Sequence, residues 1–244
     1  MLGEASSTAC AQTHLLGLID YPSAVELQRR LAAELALRDD GQIVLLLCEH
    51  PPVVSVGRSG LASEVCRQSQ RLQAKGVEIH WVGRGGGPWL HLPGQLAVYP
   101  LVPLRWHGWN IGDYLSRLQR GVRAAIEEIG VRLEHQPATS GLCGRTGQLA
   151  TFQVGVRNWV THHGAFVNVC PALGLFQLLQ EGPQRRISSL VAERGRAVRM
   201  TSVRAAVARH LAQAFGCDRY HLHTGHPLLQ RTRRVVRIGA SCDE

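Results

Sequence analysis

Lysine is almost missing from this chain. Of the 27 lysines and arginines in 244 residues, only Lys75 is a lysine. Arginine stays protonated in proteins and cannot readily act as a general base, so chemistry that requires a lysine must use Lys75 or do without. Lys75 itself falls at a predicted helix end, where a solvated surface role is expected. Paired cysteines are also missing. The seven cysteines are odd in number and scattered, with no Cys-x-x-Cys, which argues against both a disulfide framework and a zinc site. No run of about 18 apolar residues occurs, and Met1 to Thr13 lacks the basic start and apolar core of a signal peptide. A cytoplasmic location and no membrane association are therefore expected. Aromatics make up only 5% of the chain. None interleaves with the tail arginines Arg231, Arg233, Arg234 and Arg237 as a single-strand binder would need, so no nucleic-acid partner is expected.

What remains is basic and apolar. The net charge of +9 points to an acidic partner, and 45% hydrophobic content is ample for a sizeable core. Twelve histidines raise the question of a metal. However, His162-His163 and the group His221, His223 and His226 lack a plausible set of partner ligands, so neither a metal nor a cofactor is expected.

The periodicities predict a helix from Ser23 to Arg38, buried strands at Ile43–Leu47 and Val53–Val56, and a helix over 63–74 capped by Gly76. A strand at Val77–Val82 follows. Asn110 and Asp113 can cap a helix reaching Ile129, whose stripe of Tyr114, Leu115, Leu118, Val122 and Ile126 reads as core. Further strands are expected at Val131–Glu134, Leu149–Val156 and Ala165–Val169, with a loop from Pro137 to Gly147. A last helix runs from Thr201 or Ser202 to Phe215. Helices and strands are mixed rather than alternating, which favours an α+β domain with a mixed or antiparallel sheet flanked by helices.

The most informative stretch is Arg84-Gly-Gly-Gly-Pro-Trp-Leu-His-Leu-Pro-Gly-Gln95, set between apolar runs. Three adjacent glycines allow positive φ and close approach of a ligand to the main chain. Pro93-Gly94 bends the chain so that His91 and Gln95 could converge. The spacing leaves two readings open: a ligand-binding loop, or a glycine-rich hairpin with a surface arginine and a structural histidine.

The order of these segments resembles the lipoyl(octanoyl) transferases, also called lipoate-protein ligase B, within the biotin and lipoate protein ligase superfamily. Glu49-His-Pro-Pro-Val-Val-Ser-Val-Gly-Arg58 is similar to an early strand-loop-strand motif. Arg84-Gly-Gly, His91, Pro93-Gly-Gln-Leu96 and Tyr99-Pro100 are similar to the substrate loop, and Trp159-Val-Thr, His163-Gly164 and Asn168-Val169 to a later binding strand. The resemblance implies one catalytic domain over 14–216 with a short basic C-terminal extension over 217–244, acting as a monomer. It also implies transfer of an octanoyl or lipoyl group from acyl carrier protein to a lysine of a lipoyl-domain protein. Arg84, Gly85, Gly86, His91, Gly94, Gln95, Ala150, His163, Gly164 and Asn168 would bind substrate. In the family a cysteine thiolate takes the acyl group as a thioester and a nearby lysine activates it.

The chain departs from the family on that chemistry. Gln148 stands in the place of the family lysine, and Gly182 or Gln180 in the place of the cysteine. The family's Thr-Tyr-His-Gly becomes Trp89-Leu90-His91-Leu92; a leucine tolerates positive φ poorly, so a reshaped loop or a partly filled acyl tunnel is expected. Cys143, near Arg145 and just before the Gln148 strand, is the candidate nucleophile, against the alternative of an ordinary buried thiol. An inactive member that binds acyl carrier protein or lipoyl domains is the second reading. A ligase that activates lipoate with ATP is a third, and Gln148 argues against it.

Overall fold

A computed structural model describes residues 10–60, 72, 74–134, 141–178 and 186–229. Its centre is a seven-stranded sheet built from β1 (Cys10–Leu18), β2 (Ile43–Glu49), β6 (Gln95–Leu101), β7 (Gly141–Gly144), β8 (Gly147–Arg157), β9 (Val160–Asn168) and β10 (Arg219–Thr224). Across the sheet the order is β10-β1-β2-β6-β9-β8-β7. β10, β1 and β2 run parallel; β2 through β6, β9 and β8 to β7 pair antiparallel. A smaller sheet joins β3 (Val53–Val56), β4 (Glu78–Trp81) and β5 (Pro88–His91), with β3 in the middle.

β2 shows why the large sheet lies between two layers. Ile43, Leu45 and Leu47 enter one core while Val44, Leu46 and Cys48 enter another, and a strand apolar on both faces must be covered on both. One cover is α1 (Tyr21–Leu37), whose Ala24, Leu27, Leu31 and Leu35 are buried. Asp20 caps it by accepting from the Ser23 amide at 2.8 Å. The other cover pairs α2 (Ile111–Glu128) with α4 (Met200–Ala214), joined by Leu118, Val122, Val207 and Leu211. The capping box read from Asn110 and Asp113 is present in both directions. A short α3 (Leu190–Arg194) and a 3₁₀ helix (Leu173–Leu178) complete the described elements.

The structure departs from the sequence reading in several places. The segment read as a loop up to Gly147 contains β7. Pro88–His91, inside the glycine-rich stretch, is a strand. Val131–Glu134 is reduced to one bridge between Glu134 and Cys143, because the chain meets β7 at a single position. The sheet also takes in β1 from Cys10 and the wholly exposed β10, which lies beyond residue 216. The helix expected over 63–74 falls almost entirely outside the described residues, and Lys75 is exposed.

Candidate active site

The arginine of the glycine-rich stretch is buried beneath it. Arg84 is 0% exposed, and its Nη1 donates to the carbonyls of Gly85 at 2.8 Å and Gly87 at 3.0 Å. Its Nη2 donates to Ser55 O at 2.7 Å and Ser55 Oγ at 2.6 Å. A rigid guanidinium fork thus folds the loop back onto β3. Burial lowers the Arg84 pKa from its ordinary value, yet arginine keeps its charge. Gly57 allows the close approach: a Cβ there would stand 2.3 Å from Gly86 O, and Gly86 itself adopts φ +81°. The Gly85 amide donates to Val154 O at 2.8 Å, fastening the loop to β8.

From Arg84 the hydrogen bonds continue in one direction. Ser55 Oγ, which accepts from Arg84, lies 2.7 Å from His91 Nε2. His91 Nδ1–H then donates to Gln95 Oε1 at 3.2 Å, and Gln95 Nε2 donates to Asn168 Oδ1 at 2.8 Å. With His91 neutral, its proton is on Nδ1 and its Nε2 accepts from the Ser55 hydroxyl. Burial, followed by the neighbouring His50 and Arg84, holds His91 well below its ordinary pKa, in agreement. His50 is a parallel case: it hydrogen-bonds Ile19 O at 2.8 Å and Tyr99 Oη at 2.7 Å, and burial lowers it to about 4.

His163 is equally enclosed. Its backbone takes φ +55°, its amide donates to Gln28 Oε1 of α1 at 2.7 Å, and its Nδ1 lies 2.7 Å from that of His162. Burial holds it well below its ordinary value. Gly94, at φ +83°, receives the Val169 and Cys170 amides on its carbonyl and gives its own N–H to Glu49 Oε2 at 2.8 Å. Arg204 holds the other oxygen of Glu49 at 2.5 Å. Leu92 does not take positive φ. It sits 1% exposed in the small core with Val54, Val56, Leu90 and Phe176, so the loop passes this point without filling the cavity beside it.

That cavity, of about 560 Å³, opens on the other side of the loop. Gly85, Gly86, Gly87 and Trp89 form one wall, and β8 from Thr151 to Val156 another. Ile111 and Leu115 of α2 form a third, with Gln148 and Arg58 completing the lining. A mostly apolar cleft of this size with a few polar groups suits a small acyl ligand. Of the residues expected to bind substrate, Gly85 and Gly86 line it. Arg84, His91, Gly94, Gln95, Ala150, His163, Gly164 and Asn168 stand behind the wall or in the strands that carry it. Leu115, at the start of the α2 stripe read as core, packs against that core and also lines the cavity. Ser55 went unnoticed in sequence, although a hydroxyl in an otherwise apolar strand was a signal. Thr151, Phe152 and Gln153 gave none.

Gln148, which the resemblance set in the place of the family lysine, lies in the cavity wall; its Nε2 donates to Ala150 O at 3.2 Å. Cys143 is 3% exposed on β7, opposite Gln148 across the β7–β8 pair, and is not part of the cavity wall. Gly182 and Gln180 lie outside the described residues. Among the described residues no group of histidine, cysteine and carboxylate side chains could hold a metal.

The helix-covered mixed sheet matches the fold of solved lipoate protein ligases. The chain superposes on a putative lipoate protein ligase of Thermoplasma acidophilum with bound lipoic acid at TM-score 0.69. The two are 14% identical over 89% of this chain and 90% of the other. Against a lipoate-protein ligase A bound with ATP the TM-score is 0.71, at 14% identity over 89% and 90% of the two chains. These likenesses establish the fold. The model of the lipoyl protein ligase A/B catalytic domain matches residues 20–212, and the chain belongs to that family. It is 36% identical over 210 residues to an octanoyltransferase of Roseiflexus sp. (strain RS-1), spanning 83% of this chain and 86% of the relative. It is 34% identical to an octanoyltransferase of Chloroflexus aurantiacus, over 84% and 94% of the two chains.

Proposed function

We propose that this chain is an octanoyltransferase acting in protein lipoylation, passing an octanoyl group from acyl carrier protein to a lysine of a lipoyl-domain protein. The observation that carries this reading is the apolar cavity walled by the glycine loop, in a chain about a third identical to octanoyltransferases along most of its length. Ile111, Leu115, Phe152 and Trp89 would hold the hydrocarbon chain. The loop amides and the Gln148 carboxamide are the neutral donors close to a carbonyl placed there.

Among the described residues Arg58 is the only charged one in the wall, so no group there can take up a proton at neutral pH. Holding the acyl group against its acceptor is the main contribution such a wall can make. For the covalent step we retain Cys143. β7 is a four-residue strand at the edge of the sheet, paired with β8 and bridged at Cys143 to Glu134. In that step Cys143 Sγ attacks the thioester carbonyl, the new C–S bond replaces the old one, and the thiol proton passes to the carrier sulfur, which leaves as the free thiol. The acceptor amine then attacks the enzyme thioester, the amide C–N bond replaces the C–S bond, and a proton of the amine returns to Cys143 Sγ. We further propose that the protein acts as a cytoplasmic monomer; among the described residues no helix is long and apolar enough to cross a membrane.

Incubation with octanoyl carrier protein, followed by intact-mass measurement, tests the reading. An octanoyl adduct that disappears in Cys143→Ser and is passed to a lipoyl domain is the expected result. Transfer that persists in Cys143→Ser without an adduct would remove Cys143 and leave direct attack by the acceptor amine. Carrier binding with neither adduct nor transfer would overturn the transferase assignment in favour of a binding protein.

A further inference from the structure

Among the described residues that line it, the cavity has one cation, Arg58, and no carboxylate. No aspartate or glutamate occurs in 50–63, 79–112 or 141–178, the segments that supply its walls and surroundings. Arg58 borders it and is exposed, and among the described residues its guanidinium makes neither a hydrogen bond nor an ion pair. Arg157, likewise exposed and unbonded, lies two positions past the lining residue Gly155, so both project from the same face of β8. His162 pairs with Gly155 across the strands, its ring standing where a Cβ on Gly155 would be, so the ring lies at the same end of the cavity. Burial, and after it the charges of Arg58 and Arg157, lower the His162 pKa. The exposed arginines Arg29, Arg30 and Arg38 are each matched to a carboxylate, whereas Arg120, Arg199 and Arg219, like Arg58 and Arg157, are in no ion pair among the described residues.

We propose that Arg58 and Arg157, at the end of the cavity where His162 lies, bind the phosphate of the phosphorylated thioester arm that carries the acyl chain into the cavity. This rests on the reading of the cavity as an acyl site. Two planar guanidiniums fit phosphate oxygens bidentately, and among the described residues no carboxylate is paired with either. Such an arm can hang from a carrier protein or from a nucleotide; the shared element is the phosphate.

Titration calorimetry with non-transferable thioethers tests this without relying on turnover. The ligands are S-octyl pantetheine, its 4′-phosphate, S-octyl coenzyme A and the S-octyl carrier protein. In the wild type the 4′-phosphate should lower Kd about tenfold or more, the size of charge-assisted hydrogen bonds at a partly exposed site. In the double variant Arg58→Gln, Arg157→Gln that gain, read as the ratio of the Kd values of S-octyl pantetheine and its 4′-phosphate on the same protein, should shrink to less than about twofold. Both substitutions are at exposed positions, and circular dichroism would confirm an unchanged fold. Equal affinity for the phosphorylated and unphosphorylated thioethers in the wild type would overturn the proposal, as would a phosphate gain that survives the double substitution. If coenzyme A shows the gain the nucleotide source is supported; if only the carrier adds to the free phosphorylated arm, the carrier is. Failure of both pantetheine thioethers to bind would instead overturn the acyl reading of the cavity, on which the proposal depends.

Discussion

Behind the glycine loop the polar side chains are bonded to one another, whereas those in front of it keep most of their hydrogen-bonding capacity open. Arg84, Ser55, His91, Gln95 and Asn168 form a single directed hydrogen-bond chain, all buried. In the cavity wall, Arg58 makes no side-chain bond among the described residues, and Gln148 spends one donor on a carbonyl of its own strand. The residues most recognisable in the sequence therefore hold the loop in shape, and less recognisable ones meet the ligand. If this division is right, damage behind the loop should appear first as lost stability, and damage in front as altered binding.

The largest effect is expected at Arg84. Arg84→Met would leave the carbonyls of Gly85, Gly87 and Ser55 buried without their donors. The expected loss is at least about 3 kcal/mol, read as a lower urea midpoint, with acyl binding lost as the loop opens. Ser55→Ala should cost less, about 1–3 kcal/mol, because the backbone acceptors of Arg84 remain. A variant at Arg84 that unfolds like the wild type yet no longer binds would make this arginine a ligand group and erase the contrast.

Acid provides a second test. His50, His91 and His163 are neutral when folded and have depressed pKa values. The unfolded chain thus binds more protons below about 6.5, and stability falls as pH drops from there. It is fully present above that value. For His50, with a folded pKa of about 4, the loss across this window is on the order of 3 kcal/mol. Denaturation at pH 7.5, 6, 5 and 4.5 would measure it, and His50→Gln should flatten the slope. A stability that does not change between pH 7.5 and 4.5 would show that the layer behind the loop is wetter than its hydrogen bonds imply.

Much of this architecture was legible. The apolar runs of β2, β3 and β6 and the Asn110–Asp113 cap stand in the chain as local patterns. β10 was not legible, because all six residues are exposed and it is held by backbone pairing to β1, which leaves no alternation to read. β7 is four residues with two glycines, too short to announce itself. At the site, the Arg84 loop and the convergence of His91 with Gln95 were visible as glycine and proline spacing. Which side of the loop faces the ligand was not. That is decided by long-range pairing: Gly85 to Val154, Ser55 to Arg84 across 29 positions, and Gln95 to Asn168 across 73. A local pattern can show that a histidine and a glutamine meet, but not which side of them lies open.

The wall predictions are smaller and concern selectivity. Trp89, where the family has threonine, lines the cavity and packs on Phe176 with ring centroids 5.9 Å apart. Trp89→Leu should lengthen the cavity and improve the relative affinity for a decyl over an octyl thioether. Two further buried methylenes are worth about 1.6 kcal/mol, or roughly tenfold. An unchanged preference would mean that the chain runs along β8 instead, past Phe152.

Gln148 should give the smallest change, and its size is the finest measure of the contrast between the two layers. Its carboxamide is neutral at every accessible pH, so it cannot supply the proton transfer that a lysine in its place would. What it offers is one hydrogen bond to Ala150 O at 3.2 Å and whatever donor remains for the ligand. Gln148→Met keeps the length and removes both, and should cost about 0.5–1 kcal/mol in urea denaturation while changing transfer by less than about fivefold. A loss of a hundredfold in transfer with that same small stability cost would show that the carboxamide holds the acyl carbonyl in the transition state. The wall would then be bonded as fully as the chain behind it, with its partner arriving only with the substrate.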